Sequence, residues 1–180
     1  MRQLKSLVTC LGLLLLLGCG GSGSGDSGNT PLPAGNTAPG ADNADRSISL
    51  VLEATPLTGD EWSLMLSADD AADLYQLAGS LQFDPLRYEV LSTEAGGGLG
   101  GPEEAYFLSS GEDSGTLDFA YTSRYWGRLN SGDLNLLRLR LRALDGFSLA
   151  DFSLPLETDV LRLRDSRKRE LEPSLRRAGS

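Results

Sequence analysis

From Arg46 onward, apolar residues recur at every second position. Ile48, Leu50 and Leu52 alternate with Ser47, Ser49 and Val51, and Trp62, Leu64 and Leu66 alternate with Ser63, Met65 and Ser67. Leu77, Gly79, Leu81 and Phe83 form a third series, and Tyr88 with Val90 a short fourth. Tyr106 with Leu108, then Leu117, Phe119 and Tyr121, follow the glycine-rich break at residues 96–102. Residues 137–142 read Leu-Arg-Leu-Arg-Leu-Arg, with leucine on one face and arginine on the other. Phe152, Leu154 and Leu156, then Val160 to Leu163, and finally Leu171 to Leu175, close the series. A period of two puts alternate side chains on opposite faces of a strand. No window of about twelve residues or more has helical spacing, apart from a turn expected over Asp69 to Tyr75. About nine short strands, each with one apolar face, predict an all-β antiparallel sandwich of jelly-roll type. Roughly 130 residues suffice for one sizeable core.

The first 45 residues follow a different pattern. Arg2 and Lys5 precede an apolar run from Leu11 to Leu17, interrupted at Gly12. That run is too short to span a bilayer and has the length of a signal-peptide core. It closes on Leu16-Leu17-Gly18-Cys19, which resembles the lipobox of bacterial lipoproteins. The resemblance implies a signal peptide over 1–18 and lipidation at Cys19, with export to the cell envelope. It also implies the outer membrane in a two-membrane host, because Gly20 rather than aspartate follows the cysteine. Residues 20–45 hold seven Gly, three Ser and three Pro, with Leu32 the one large apolar side chain. Such a composition cannot bury enough apolar surface to offset its ordering entropy, so 19–45 reads as a lipidated cysteine plus a disordered tether. Its typical reach is roughly 30 Å. The folded domain is then 46–176, with 177–180 a tail.

The order of features inside 46–176 carries a second resemblance. A strand ends at Phe83-Asp84-Pro85 and resumes at Tyr88-Glu89-Val90-Leu91. Next come a Tyr106-Phe107-Leu108 strand, a Gly-x-Leu-x-Phe-Ala-Tyr strand over 115–121, and a loop ending Ser131-Gly132-Asp133-Leu134 before the leucine-alternating strand. This succession resembles the cohesin family and its relatives in the cohesin and family 2/3 carbohydrate-binding-module superfamily. The elementary chemistry agrees: Asp84 caps a turn, Pro85 sets its φ, and a proline cannot continue the ladder. The resemblance implies a cohesin-like sandwich acting as a non-catalytic binding module. The polysaccharide-binding relatives make a glycan the first expected ligand. The alternative is a protein–protein module for a dockerin-like or other envelope partner.

Charge and residue inventory narrow the chemistry. The chain has a formal net charge of -9, and losing Arg2 and Lys5 with the signal takes it to -11. Such a field repels phosphate, which argues against nucleic acid. There is no histidine, which removes the commonest general base and every His-containing zinc site. Cys10 leaves with the signal and Cys19 is consumed by lipid, so the mature domain has neither a disulfide nor a reactive thiol. Acidic pairs such as Asp60-Glu61 and Glu103-Glu104 fall in polar, turn-like stretches and read as solvated surface, leaving little room for a two-carboxylate hydrolase. No cofactor is expected. Asp69, Asp70 and Asp73 could supply oxygens to a structural calcium ion, although no EF-hand loop is present. Arg138, Arg140 and Arg142 read as cross-strand partners of acids, or else as a docking stripe for an acidic partner or uronic-acid glycan. The candidate ligand contacts are Arg124, Tyr125, Trp126 and Arg128, a loop that breaks the alternation and joins aromatics to arginines.

Overall fold

The structure is a computed structural model that describes residues 46–125 and 129–178. The lipidation candidate Cys19, and Trp126 and Arg128 of the ligand loop, lie outside the described residues.

Nine strands form among the described residues: β1 (Ser47–Pro56), β2 (Glu61–Ala71), β3 (Gln76–Gln82), β4 (Tyr88–Ala95), β5 (Ala105–Ser110), β6 (Thr116–Ser123), β7 (Gly132–Ala143), β8 (Arg162–Arg164) and β9 (Glu172–Ala178). They make a five-stranded sheet ordered β4-β7-β2-β1-β9 and a four-stranded sheet ordered β5-β6-β3-β8. The inward-facing leucines meet between the sheets, and Leu50, Leu52, Leu64, Leu77, Leu117 and Leu141 are completely buried. Each contributes about 1.5–3 kcal/mol relative to an exposed side chain, which is how a domain without disulfides holds together.

The Phe83-Asp84-Pro85 turn behaves as its residues dictate. Asp84 Oδ1 accepts from Leu86 N (2.9 Å), and its carbonyl accepts from Arg87 N (3.1 Å) and Tyr88 N (3.0 Å). Tyr88, completely enclosed, donates its hydroxyl to Asp151 Oδ2 (2.5 Å) and accepts from Ser148 N (3.0 Å). Asp151 also pairs with Arg87 Nη1 at 2.6 Å. The turn is therefore locked to the β7–β8 connection. Trp62 stacks on Phe147 nearby, with ring centroids 4.1 Å apart.

Four details depart from the sequence reading. The β1–β9 pair is parallel, while every other strand pair is antiparallel. The chain crosses between sheets after β8, so β9 arrives running with β1. Asp69 to Ala71 continue β2 instead of turning, through a register shift at which Asp70 takes a positive φ of 49°. Phe152 and Leu154 are buried as their alternation requires, yet that segment holds a 3-10 turn (Leu149–Asp151) and one isolated bridge, Gln82 to Ser153. Pro155 has no N–H to extend the ladder, and a turn closes over Glu157 to Leu161. Finally, β9 runs to Ala178, two residues into the expected tail.

Candidate functional site

The loop after β6 sits at the end of the sandwich where the chain enters β1. Ser123 N donates to Tyr75 O (3.1 Å), Leu74 N to Asn130 O (3.0 Å), and Ser49 faces Asp69 across β1–β2, which places these groups at one end. Arg124 turns back onto the domain: its Cζ lies 4.1 Å above the Tyr106 ring centroid, and its backbone N donates to Glu104 O (2.7 Å). Tyr125 projects outward with 54 % of its surface exposed. Of the four expected contacts, the structure thus describes two, one stacked and one exposed.

The arginine stripe is mostly neutralised. Arg140 binds Glu61 through both Nε (2.8 Å) and Nη2 (2.5 Å). Arg142 reaches Glu89 (2.7 Å), Asp60 (3.6 Å) and Glu61 (3.7 Å). Cross-strand pairing accounts for these two, while Arg138 lies between Met65 and Glu94 in register with no ion pair among the described residues. This outer face of the five-stranded sheet is a lattice of charges.

The three aspartates that could supply oxygens to a calcium ion do not gather. Asp69 Oδ2 accepts from Arg176 Nη2 (2.6 Å), Asp70 N donates to Asp133 Oδ1 (3.2 Å), and Asp73 Oδ2 accepts from Ser166 N (3.3 Å) and Oγ (2.6 Å). No group of three such ligands able to hold a metal occurs among the described residues. Asp165, almost wholly buried, caps the basic turn instead, accepting from Arg167 N (2.9 Å), Arg169 N (2.8 Å) and Arg169 Nε (2.6 Å). Burial pushes its pKa up, but these donors and the guanidinium outweigh burial and hold it below the usual aspartate value.

The outer face of the four-stranded sheet differs from its counterpart. Register lines up Arg164, Gln76, Thr122 and Tyr106 in one row across β8-β3-β6-β5, and Arg162, Ala78, Ala120 and Leu108 in the next. A third row holds Ser80, Asp118 and Ser110, with Ser80 Oγ donating to Asp118 Oδ1 at 2.5 Å. Strand spacing makes the face roughly 14 Å wide. Its centre is alanine, so nothing rises above the backbone there. On the β5 side Tyr106 and Leu108 stand 60 % and 72 % exposed, and on the β8 side are two arginines. The alternation in sequence assigned Tyr106 and Leu108 to the apolar series facing the core. The structure reverses the phase, with Ala105 and Phe107 turned inward and Phe107 edge-on to Tyr121 at 5.8 Å. Three consecutive large apolar residues leave the phase ambiguous, and small Ala105 before them was the available signal.

No protein-family model matches the sequence, and no curated protein matches it. Solved structures do match in fold. A type II cohesin, A11, from Bacteroides cellulosolvens superposes with a TM-score of 0.59 at 11 % identity, covering 73 % of this chain and 96 % of that one. A chain of the type I cohesin–dockerin complex Coh-OlpC–Doc435 from Clostridium thermocellum gives 0.57 at 17 % identity, covering 76 % and 93 %. A chain of the complex between the sixth cohesin of Acetivibrio cellulolyticus scaffoldin B and a Cel5 dockerin gives 0.56 at 13 % identity, covering 72 % and 94 %. The domain is an all-β sandwich with a cohesin-like fold.

Proposed function

We propose that this chain is a non-catalytic, envelope-anchored protein-binding module that receives a dockerin-like or other envelope protein on the outer face of its four-stranded sheet. The observation that carries this is the flat Ala78–Ala120 centre, bordered by exposed Tyr106 and Leu108 on one side and Arg162 and Arg164 on the other. Exposed apolar side chains beside small residues give a partner close approach and desolvated contact, and arginine and tyrosine are favoured anchors. Two of the structural neighbours described above come from complexes with dockerins, which supports a protein partner. The polysaccharide reading finds less support: among the described residues neither sheet face carries a row of aromatics, and the exposed rings Tyr106 and Tyr125 lie on a strand and in a loop. Lipidation at Cys19 supplies the anchor in this proposal.

Cross-linking of the chain in its own envelope, with wild type beside Ala78→Arg and Ala120→Arg, tests the face. A partner captured by wild type and lost from both variants is the expected result. Unchanged capture by both variants, or retention on a glycan that depends on Tyr125 and Trp126, overturns it. For the anchor, Cys19→Ala is expected to leave the membrane fraction.

A further inference from the structure

Each open sheet leaves two edge strands, and three of the four are protected against further pairing. Edge β4 carries a register shift between Val90 and Ser92 and the charges of Glu89 and Glu94. Edge β8 is three residues long, two of them arginine. Edge β9 contains Pro173, Arg176 and Arg177. These are the usual devices that stop strand addition: bulges, charge, brevity and proline. Edge β5, Ala-Tyr-Phe-Leu-Ser-Ser, has none of them, and its pairing with β6 runs without a shift.

The hydrogen-bond phase shows which groups this edge offers. Arg124 N donates to Glu104 O, so in the antiparallel register the residues of β5 that bond to β6 are Tyr106, Leu108 and Ser110. The N–H and C=O groups of Phe107 and Ser109 therefore point away from the sheet, while Ala105 N is taken by Gly101 O (2.9 Å). Beside this edge lies a cleft of about 540 Å³, walled by Ala95, Gly97, Pro102, Phe107 and Tyr121, with Glu94 at its rim. Side chains of an added strand that point inward, level with Phe107, would enter it. The strand carries net negative charge at both ends. Glu94, Glu103 and Glu104 outnumber Arg124 at its start, where Arg124 lines the cleft, stacks over Tyr106 and donates to Glu103 O (3.4 Å), and Glu112 and Asp113 follow its finish.

We infer that the β5 edge binds an extended peptide as an added strand, one with an apolar middle and a basic residue at each end. Main-chain bonds to Phe107 and Ser109 hold it, the cleft selects an apolar side chain, and the acidic ends set its flanks. The charge pattern argues against a second copy of this chain. Antiparallel self-pairing brings Glu103 of one copy towards Glu112 and Asp113 of the other.

The test is fluorescence anisotropy with the full chain and a labelled heptapeptide, Lys-Val-Thr-Val-Thr-Val-Lys. Saturable binding is expected, with at least a tenfold loss when the peptide amides facing β5 are N-methylated and none when the opposite amides are. Replacing both terminal lysines by glutamate is expected to cost at least tenfold as well. Ser109→Pro removes an outward N–H without touching the β6 ladder, and it is expected to lose the peptide while keeping partner capture by the sheet face. Ala120→Arg is expected to do the reverse, so the two surfaces fail separately. No binding, binding indifferent to N-methylation, or sedimentation of the chain alone as a dimer that Ser109→Pro dissolves, each overturns the assignment.

Discussion

Tyr88→Phe isolates the bond that ties the Asp-Pro turn to the rest of the sandwich. The ring stays, in contact with Phe152 at 4.7 Å and edge-on to Phe147 at 6.0 Å, so apolar burial is unchanged. Only the hydroxyl is lost. Ser148 N loses its 3.0 Å acceptor and Asp151 loses its 2.5 Å donor, while Asp151 keeps Arg87 at 2.6 Å. A buried donor left without a partner costs about 1–3 kcal/mol; Ser148 is only half-buried and the partly exposed Asp151 recovers water, which places the loss near 1.5 kcal/mol. For a domain of this size that is a fall in Tm of about 5 °C. Urea unfolding followed through Trp62, whose stacking on Phe147 adjoins the site, measures it. In a double-mutant cycle, Tyr88→Phe with Asp151→Ala is expected to show coupling of about 1 kcal/mol. A loss under about 0.5 kcal/mol, or additivity in the cycle, would show that this bond does not anchor the turn. The phenol offers an independent check. Burial, reinforced by the bond to Asp151, raises its pKa above the usual 10.0, and burial does the same for Tyr121. In an absorbance titration of the folded chain both should therefore ionise later than a solvent-exposed tyrosine.

Three further outcomes follow from the same contacts. Gly96→Ala would put a Cβ 2.5 Å from Asn135 O and 2.6 Å from Leu136 N, both backbone atoms of β7; a loss of about 3 kcal/mol is expected in denaturant unfolding, since the strand cannot move aside. Asp165→Asn should cost about 2 kcal/mol at neutral pH by weakening the charged cap of the 165–169 turn. The carboxylate's folded pKa is depressed, so its contribution is complete above the ordinary value of 3.8 and disappears as the pH falls through the depressed one. The stability gap between wild type and variant should close in that acid window and nowhere above it. Arg140→Ala is expected to cost about 1 kcal/mol, because its guanidinium is largely exposed but its partner Glu61 is mostly covered, and Arg138→Ala about zero, in side-by-side melts.

The scaffold was largely legible because its signals are local. Alternation in β1, β2, β6 and β7 fixes inward faces, and Asp84-Pro85 fixes the turn between β3 and β4 whatever lies around it. What the sequence hid depends on neighbours. Phe152 and Leu154 alternate like a strand, but a strand also needs a ladder, and Pro155 denies it one. Tyr106, Phe107 and Leu108 are three large apolar residues in a row, so only the sheet decides which of them face solvent. The same limit hid the proposed binding face. Ala78 and Ala120 have no chemistry of their own, and their importance comes from lying side by side between Leu108 and Arg162. Loop aromatics such as Tyr125 are conspicuous in a sequence, whereas a flat patch of alanines is not.

Arg124 joins the loop to the proposed face, its guanidinium 4.1 Å over the Tyr106 ring, while Tyr125 stands exposed at the end where the chain enters β1 at Ser47. In the proposed anchored form, the tether over 20–45 has a typical reach of roughly 30 Å. A partner on the sheet face needs clearance from the membrane of its own. Deleting residues 22–40 should therefore weaken capture of the partner on intact cells by about tenfold, because a shortened linker cannot span the required distance. The same deletion should leave affinity unchanged for chain released from the membrane with detergent. Equal loss in both settings would place residues 22–40 in the binding contact itself, and no loss in either would remove any need for stand-off.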